Sequence, residues 1–167
     1  MLRIHRTLAH LAVALGLGGV ALAHPVVLPA LEAASGLIDA NLAKALAVAV
    51  HQRIDDGLLV VSALAAASMG RASGTRLGTT LGLLALICVA AERFWLLPQL
   101  SQTWSQLDLT VGRPLHLVDV AQTLERVSLG ISAAVATLFG AMAWLLASGG
   151  DRLGHAASRA CGAADHG

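Results

Sequence analysis

Six side chains in this sequence recur in one polar layer and are candidate metal ligands: His24, His51, Asp55, Glu92, His116 and Glu125. Imidazole nitrogen combined with carboxylate oxygen suits zinc, copper or iron. Their spacing gives the idea some geometry. His51 and Asp55 are one helical turn apart and share a face, with Ser62 continuing that face two turns on. Glu125, Ser128 and Ser132 form a second polar stripe. Arg53, Arg93 and Arg126 recur at similar height and supply countercharges. The paired Glu-x-x-His motifs of carboxylate-bridged di-iron bundles are missing. With three arginines at hand, the expectation is a structural network of ion pairs and hydrogen bonds, and a metal centre is the sharper alternative.

Other chemistries find less support. His10 and His24 are spaced so that one helix could present both to stacked haems, about 21 Å apart along its axis. No other apolar segment carries a matching pair of axial ligands, so each histidine is expected to be hydrogen-bonded near an interface. Cys88 lies in an apolar run and Cys161 in the C-terminal tail. Neither CxxC nor a second pair is present, so a thiolate metal site is not indicated. There is no GxSxG, P-loop, HExxH or dinucleotide glycine fingerprint. An enzyme is therefore not expected, and no cofactor is assigned.

The elements that must position these residues read as membrane helices. The chain has 167 residues, 56% hydrophobic and only 13% charged, with a net charge of +1. Its mean hydropathy is +0.73. A soluble domain carries about a quarter charged residues, and no basic patch suggests a nucleic-acid partner. Four apolar segments, about 7–30, 51–70, 77–98 and 123–147, approach the roughly 20 residues that a membrane helix needs. They predict an all-α, integral membrane four-helix bundle over 1–150, followed by a short polar tail at 151–167. The opening segment also has the basic start and Ala21-Leu22-Ala23 pattern of a cleavable signal. Its apolarity continues past His24, so a retained span is expected.

Arg3, Arg6, Arg71, Arg76, Arg152 and Arg159 fall on one side of four such spans. By the positive-inside rule both termini are then cytoplasmic. The stretch HQRIDD at 51–56 must form the outer turns of the second span, because 57–70 alone would rise only about 21 Å. All four segments thus bring polar groups to one outer layer, and intramembrane charges usually mark function.

Packing is announced by small residues: Gly16 and Gly18 in the first span, Ser62, Ala66 and Gly70 in the second, Gly78 and Gly82 in the third, Gly140 in the fourth. Such spacing serves bundling and subunit docking equally. Trp104, in the outer loop 99–118, is a candidate anchor for a partner.

Segments 26–31 (VVLPAL), 43–61 (AKALAVAVHQRIDDGLLVV) and 93–100 (RFWLLPQL), with His10-Leu11 and Gly18-Gly19, resemble a small bacterial four-helix membrane family of unknown function related to transmembrane protein 205. The resemblance implies a four-span bundle in the bacterial inner membrane. Relatives of this kind often open the last span with R-x-H-x-x-S; the corresponding region here reads ERVSLGIS, so a role tied to that histidine does not carry over. The functional expectation is a small accessory subunit of a larger inner-membrane complex, with other integral membrane subunits and lipid as partners. The alternative is a standalone metal-handling or small-solute protein that uses the outer polar layer.

Overall fold

The computed structural model describes residues 2–33, 39–107 and 115–164. Every secondary-structure element among them is helical: α1 (Leu2–Leu22), α2 (Leu28–Ala33), α3 (Ala40–Ser73), α4 (Arg76–Ala91), α5 (Leu97–Ser105) and α6 (Leu115–Ala164). A π-helical turn, Ala23–Val27, joins α1 to α2, and a second, Glu92–Leu96, joins α4 to α5. Four rods result, each packed against its neighbours in chain order, with α6 closing the ring against α1. The end holding the chain's first residues is called here the near end; the π turns lie toward the far end.

Both π turns have the same cause. Each begins six residues before a proline, Pro29 in one case and Pro98 in the other. A helical proline cannot donate a hydrogen bond, and its ring collides with the carbonyl four residues earlier. Widening the preceding turn relieves that collision without breaking the rod.

Polar HQRIDD is held in helix by its neighbours. Asp39 caps the N-terminus of α3, its Oδ1 accepting from the amides of Asn41 at 2.9 Å and Leu42 at 3.2 Å. Such a cap contributes about 1 kcal/mol. From there α3 runs unbroken for 34 residues, so ANLAKALAVAV and the crossing segment form one rod. The rod stops at Gly74, whose φ of 67° lies in the left-handed region that glycine adopts without strain. Extended Thr75 then starts α4 in the opposite direction.

Close contact between α3 and α4 depends on glycine. A Cβ on Gly82 would stand 2.6 Å from both the Cα and the amide nitrogen of Ala66, and one on Gly78 would stand 3.0 Å from the Met69 carbonyl. Gly70 is against the Thr79 hydroxyl and Gly16 against the Phe139 ring. Ser62 is fully buried and Ala66 nearly so. These small residues therefore serve the inside of the bundle. Gly18 and Gly140 differ: nothing stands near either.

Small side chains line much of the interior around a few large ones, Met69, Phe139 and Met142 among them, while many large apolar side chains, including Leu15, Val60, Ile87 and Leu129, face outward. That inversion suits a hydrocarbon solvent, where close backbone approach replaces hydrophobic burial as the packing force. Among the described residues, three helical stretches are long and apolar enough to cross a membrane: Arg3–Leu22, Arg76–Ser105 and His116–Ser148. The fourth expected span, 51–70, matches them in length within α3, but the charges of HQRIDD and the serines and glycines after it reduce its apolarity. The tail, expected as a short polar segment from residue 151, continues α6 as helix to Ala164.

Candidate metal centre

Three of the six candidate ligands come together. His51 and Asp55 project from α3, and Glu92 from the first position of the π turn after α4. His51 Nε2 lies 3.4 Å from Glu92 Oε1 and 3.9 Å from Asp55 Oδ1. One ligand atom from each lies within 4.8 Å of the others, and all three residues are buried. Asp55 is 2% exposed and Glu92 2%.

The local sequence explains this placement. The buried positions of α3 include Ala47, His51, Asp55, Leu58, Ser62 and Ala65. Their steps of three and four follow a helix face, so the two ligands occupy core positions in an otherwise small and apolar stripe. Glu92 follows Ala85 and Val89 on the inward face of α4. The widened turn keeps Leu96, Leu97 and Leu100 buried beyond it.

Two serines on α6 hold the Glu92 carboxylate. Ser128 donates to Oε1 and Ser132 to Oε2, the latter at 3.5 Å. Both serines are buried. The sequence's second polar stripe thus supports the first across the bundle.

Two of the three arginines are engaged elsewhere, and Arg126 is exposed. Arg93 Nε donates to Asp56 Oδ1 at 2.7 Å, and Arg53 lies 3.8 Å from Asp56 Oδ2. Lys44 pairs with Glu125 at 3.1 Å. The expected ion-pair network therefore exists as a rim around the trio. Among the described residues no lysine or arginine is ion-paired with Asp55 or Glu92. Two buried carboxylates face one imidazole, and Asp55 Oδ2 has no hydrogen-bond partner among the described residues. A carboxylate removed from water costs several kcal/mol unless a cation or proton compensates it.

A divalent ion would compensate both charges. Ligand atoms around a tetrahedral zinc at about 2.0–2.2 Å stand roughly 3.3 Å apart. The His51–Glu92 pair at 3.4 Å already has that separation, while the His51–Asp55 pair stands wider at 3.9 Å. One nitrogen and two carboxylate oxygens leave a coordination position for water, as in zinc sites that keep an open ligand.

The remaining candidates lie apart. Glu125 is half-buried in the rim. His116 is exposed at the start of α6, and the side chain of His24 lies outside the described residues. His10 is exposed, its Nδ1 donating to the Arg6 carbonyl at 2.7 Å, which is the hydrogen-bonded role expected of it. Trp104, expected as an anchor, is half-buried with Lys44 Nζ 4.8 Å above its ring. The part played by Lys44 was missed in the sequence; its signal is its place at two helical turns before His51. Comparison of the chain with known protein families, characterised proteins and solved structures returned no match.

Proposed function

We propose that this chain is a small multi-pass membrane protein that holds one divalent transition-metal ion at the far end of its bundle, through His51, Asp55 and Glu92. The observation that carries the reading is the buried trio itself: two carboxylates with no lysine or arginine partner among the described residues, next to one imidazole. With both termini cytoplasmic, as the arginines ask, the trio belongs to the outer half of a bacterial inner membrane.

The bundle is suited to holding the ion rather than conducting it. Between the trio and the near end the interior is closed by Ala65, Met69, Phe139 and Met142, all without exposure. No polar track crosses that layer among the described residues. Zinc is the natural probe, since the donors match it and it has no redox chemistry. The test is native mass spectrometry of detergent-extracted protein after zinc loading. One zinc per chain, lost in His51→Ala and in Glu92→Gln with helicity retained, is expected. Wild type that takes up no zinc would leave a shared proton as the counterion and remove this reading.

A second reading, an accessory subunit of a larger complex, draws on Gly18 and Gly140, whose open surroundings leave room for another helix to approach closely. The same spectra test it: a stoichiometric assembly with larger chains supports it, and a lone chain counts against it.

A further inference from the structure

A buried trio needs a way in, and among the described residues one cavity reaches it. A cavity of about 250 Å³ runs between α3, α5 and α6. His51 and Ser128 line its inner part, while Lys44, Trp104 and Glu125 line its rim. The opposite direction is the apolar layer of Met69, Phe139 and Met142. Resting on the metal reading of the trio, we infer that this cavity is the path by which a divalent cation reaches it, with Glu125 as its first ligand and Lys44 as a tethered cation that the ion displaces.

The rim has the parts for such an exchange. Lys44 Nζ lies 3.1 Å from Glu125 Oε1 and 4.8 Å from the centroid of Trp104. The ammonium thus has two resting places within reach of one flexible side chain. While it stays on Glu125, that carboxylate is neutralised and occupied. An arriving divalent ion carries twice the charge and competes for the same oxygen. The ammonium then moves onto the face of the Trp104 ring, an attraction worth about 0.5–2 kcal/mol depending on its desolvation. Side-chain exposures of 23% for Lys44 and 38% for Glu125 leave the pair open to an ion from outside. Glu92 stands past His51 and is held by Ser128, itself a lining residue, so the path ends on the ligands.

A rim that controls passage changes rates and leaves equilibrium affinity alone. The experiment uses the full chain in mild detergent with zinc as the probe. Uptake is read by stopped flow from a fluorescent zinc indicator and release from a chromophoric chelator. Lys44→Met is expected to raise uptake and release together, on the order of tenfold, equivalent to about 1.4 kcal/mol of barrier. Glu125→Gln is expected to lower both. Trp104→Leu, which removes the second resting place without changing a charge, is also expected to slow both, and it serves where a charge variant loses helicity. Zinc affinity stays at the wild-type value in all three. Zinc binding with wild-type rates in every variant would overturn the path while leaving the trio as the metal centre. Weakened affinity at an unchanged uptake rate would make Glu125 an equilibrium ligand and overturn the path as well. Failure of the wild type to bind zinc removes the centre itself, and the path with it.

Discussion

Gly82 gives the sharpest test of how the bundle is assembled. Replacing it by alanine adds one methyl group, which would stand 2.6 Å from the Cα and amide nitrogen of Ala66. Both obstructing atoms are backbone, so no rotamer change relieves the contact, and α3 must separate from α4. Overpacking of this kind costs about 1–3 kcal/mol. Alanine also gains about 1 kcal/mol over glycine in a helix interior, which partly masks the cost. Gly140→Ala supplies the control: it makes the same chemical change on α6, where nothing stands within 4 Å. Subtracting the two removes the propensity gain and isolates the contact. Gly82→Ala is therefore expected to be less stable than Gly140→Ala by about 1–3 kcal/mol, roughly a five- to hundred-and-fifty-fold difference in the unfolding equilibrium. The assay is unfolding in mixed micelles followed by helical circular dichroism. Equal midpoints for the two variants would refute the close α3–α4 approach and the reasoning built on it.

Ser128→Ala removes the hydroxyl that orients the Glu92 carboxylate, and partners of this kind typically carry 10–100-fold in metal affinity; about that loss in zinc competition titrations is expected, with the thermal midpoint little changed. Asp55→Asn keeps the side-chain shape and removes one charge, so zinc retention on dialysis should fall while the protein folds as before. Pro98→Ala lets the helix close its widened turn and rotates Glu92 relative to α4, so zinc affinity should drop while helix content holds or rises. Retained affinity in the Pro98 variant would show that the turn does not set the position of Glu92.

Much of the architecture was legible because a membrane helix announces itself by length and apolarity. HQRIDD could be placed in helix from length alone, since 57–70 is too short to cross. The inward face of α3 could be read from His51, Asp55 and Ser62, because one helix fixes their relative directions. Contacts between helices were harder. Which of six ligands would meet depends on rotation of each rod, and the turn before Pro98 sets the rotation of Glu92. Arginines at similar height suggested pairing with all the carboxylates, yet Arg93 reaches Asp56, one residue from Asp55 and on a more exposed side of α3. Small-residue motifs behaved similarly. Gly78 and Gly82 face the partner helix while Gly18 and Gly140 face open space, a distinction that spacing alone does not contain.

The twin π turns carry a further consequence. Advancing residue numbers by 69 superposes Pro29 on Pro98, and with it Ala9, Val13, Gly16, Val20 and Ala23 on Gly78, Gly82, Ala85, Val89 and Glu92, all of them buried. Advancing by 77 carries His51, Asp55, Leu58, Ala65 and Met69 onto Ser128, Ser132, Val135, Met142 and Leu146, again all buried. The buried faces of the two hairpins, α1–α3 and α4–α6, thus follow matching patterns of spacing. The trio and its two serines occupy matched positions of those patterns, but with different chemistry in each half. Ala23 stands where the other hairpin has Glu92, and two hydroxyls stand where the first has imidazole and carboxylate. One spacing thus lines both hairpins, and the few side chains that differ put imidazole and carboxylates on α3 and at the end of α4, with the two hydroxyls facing them from α6.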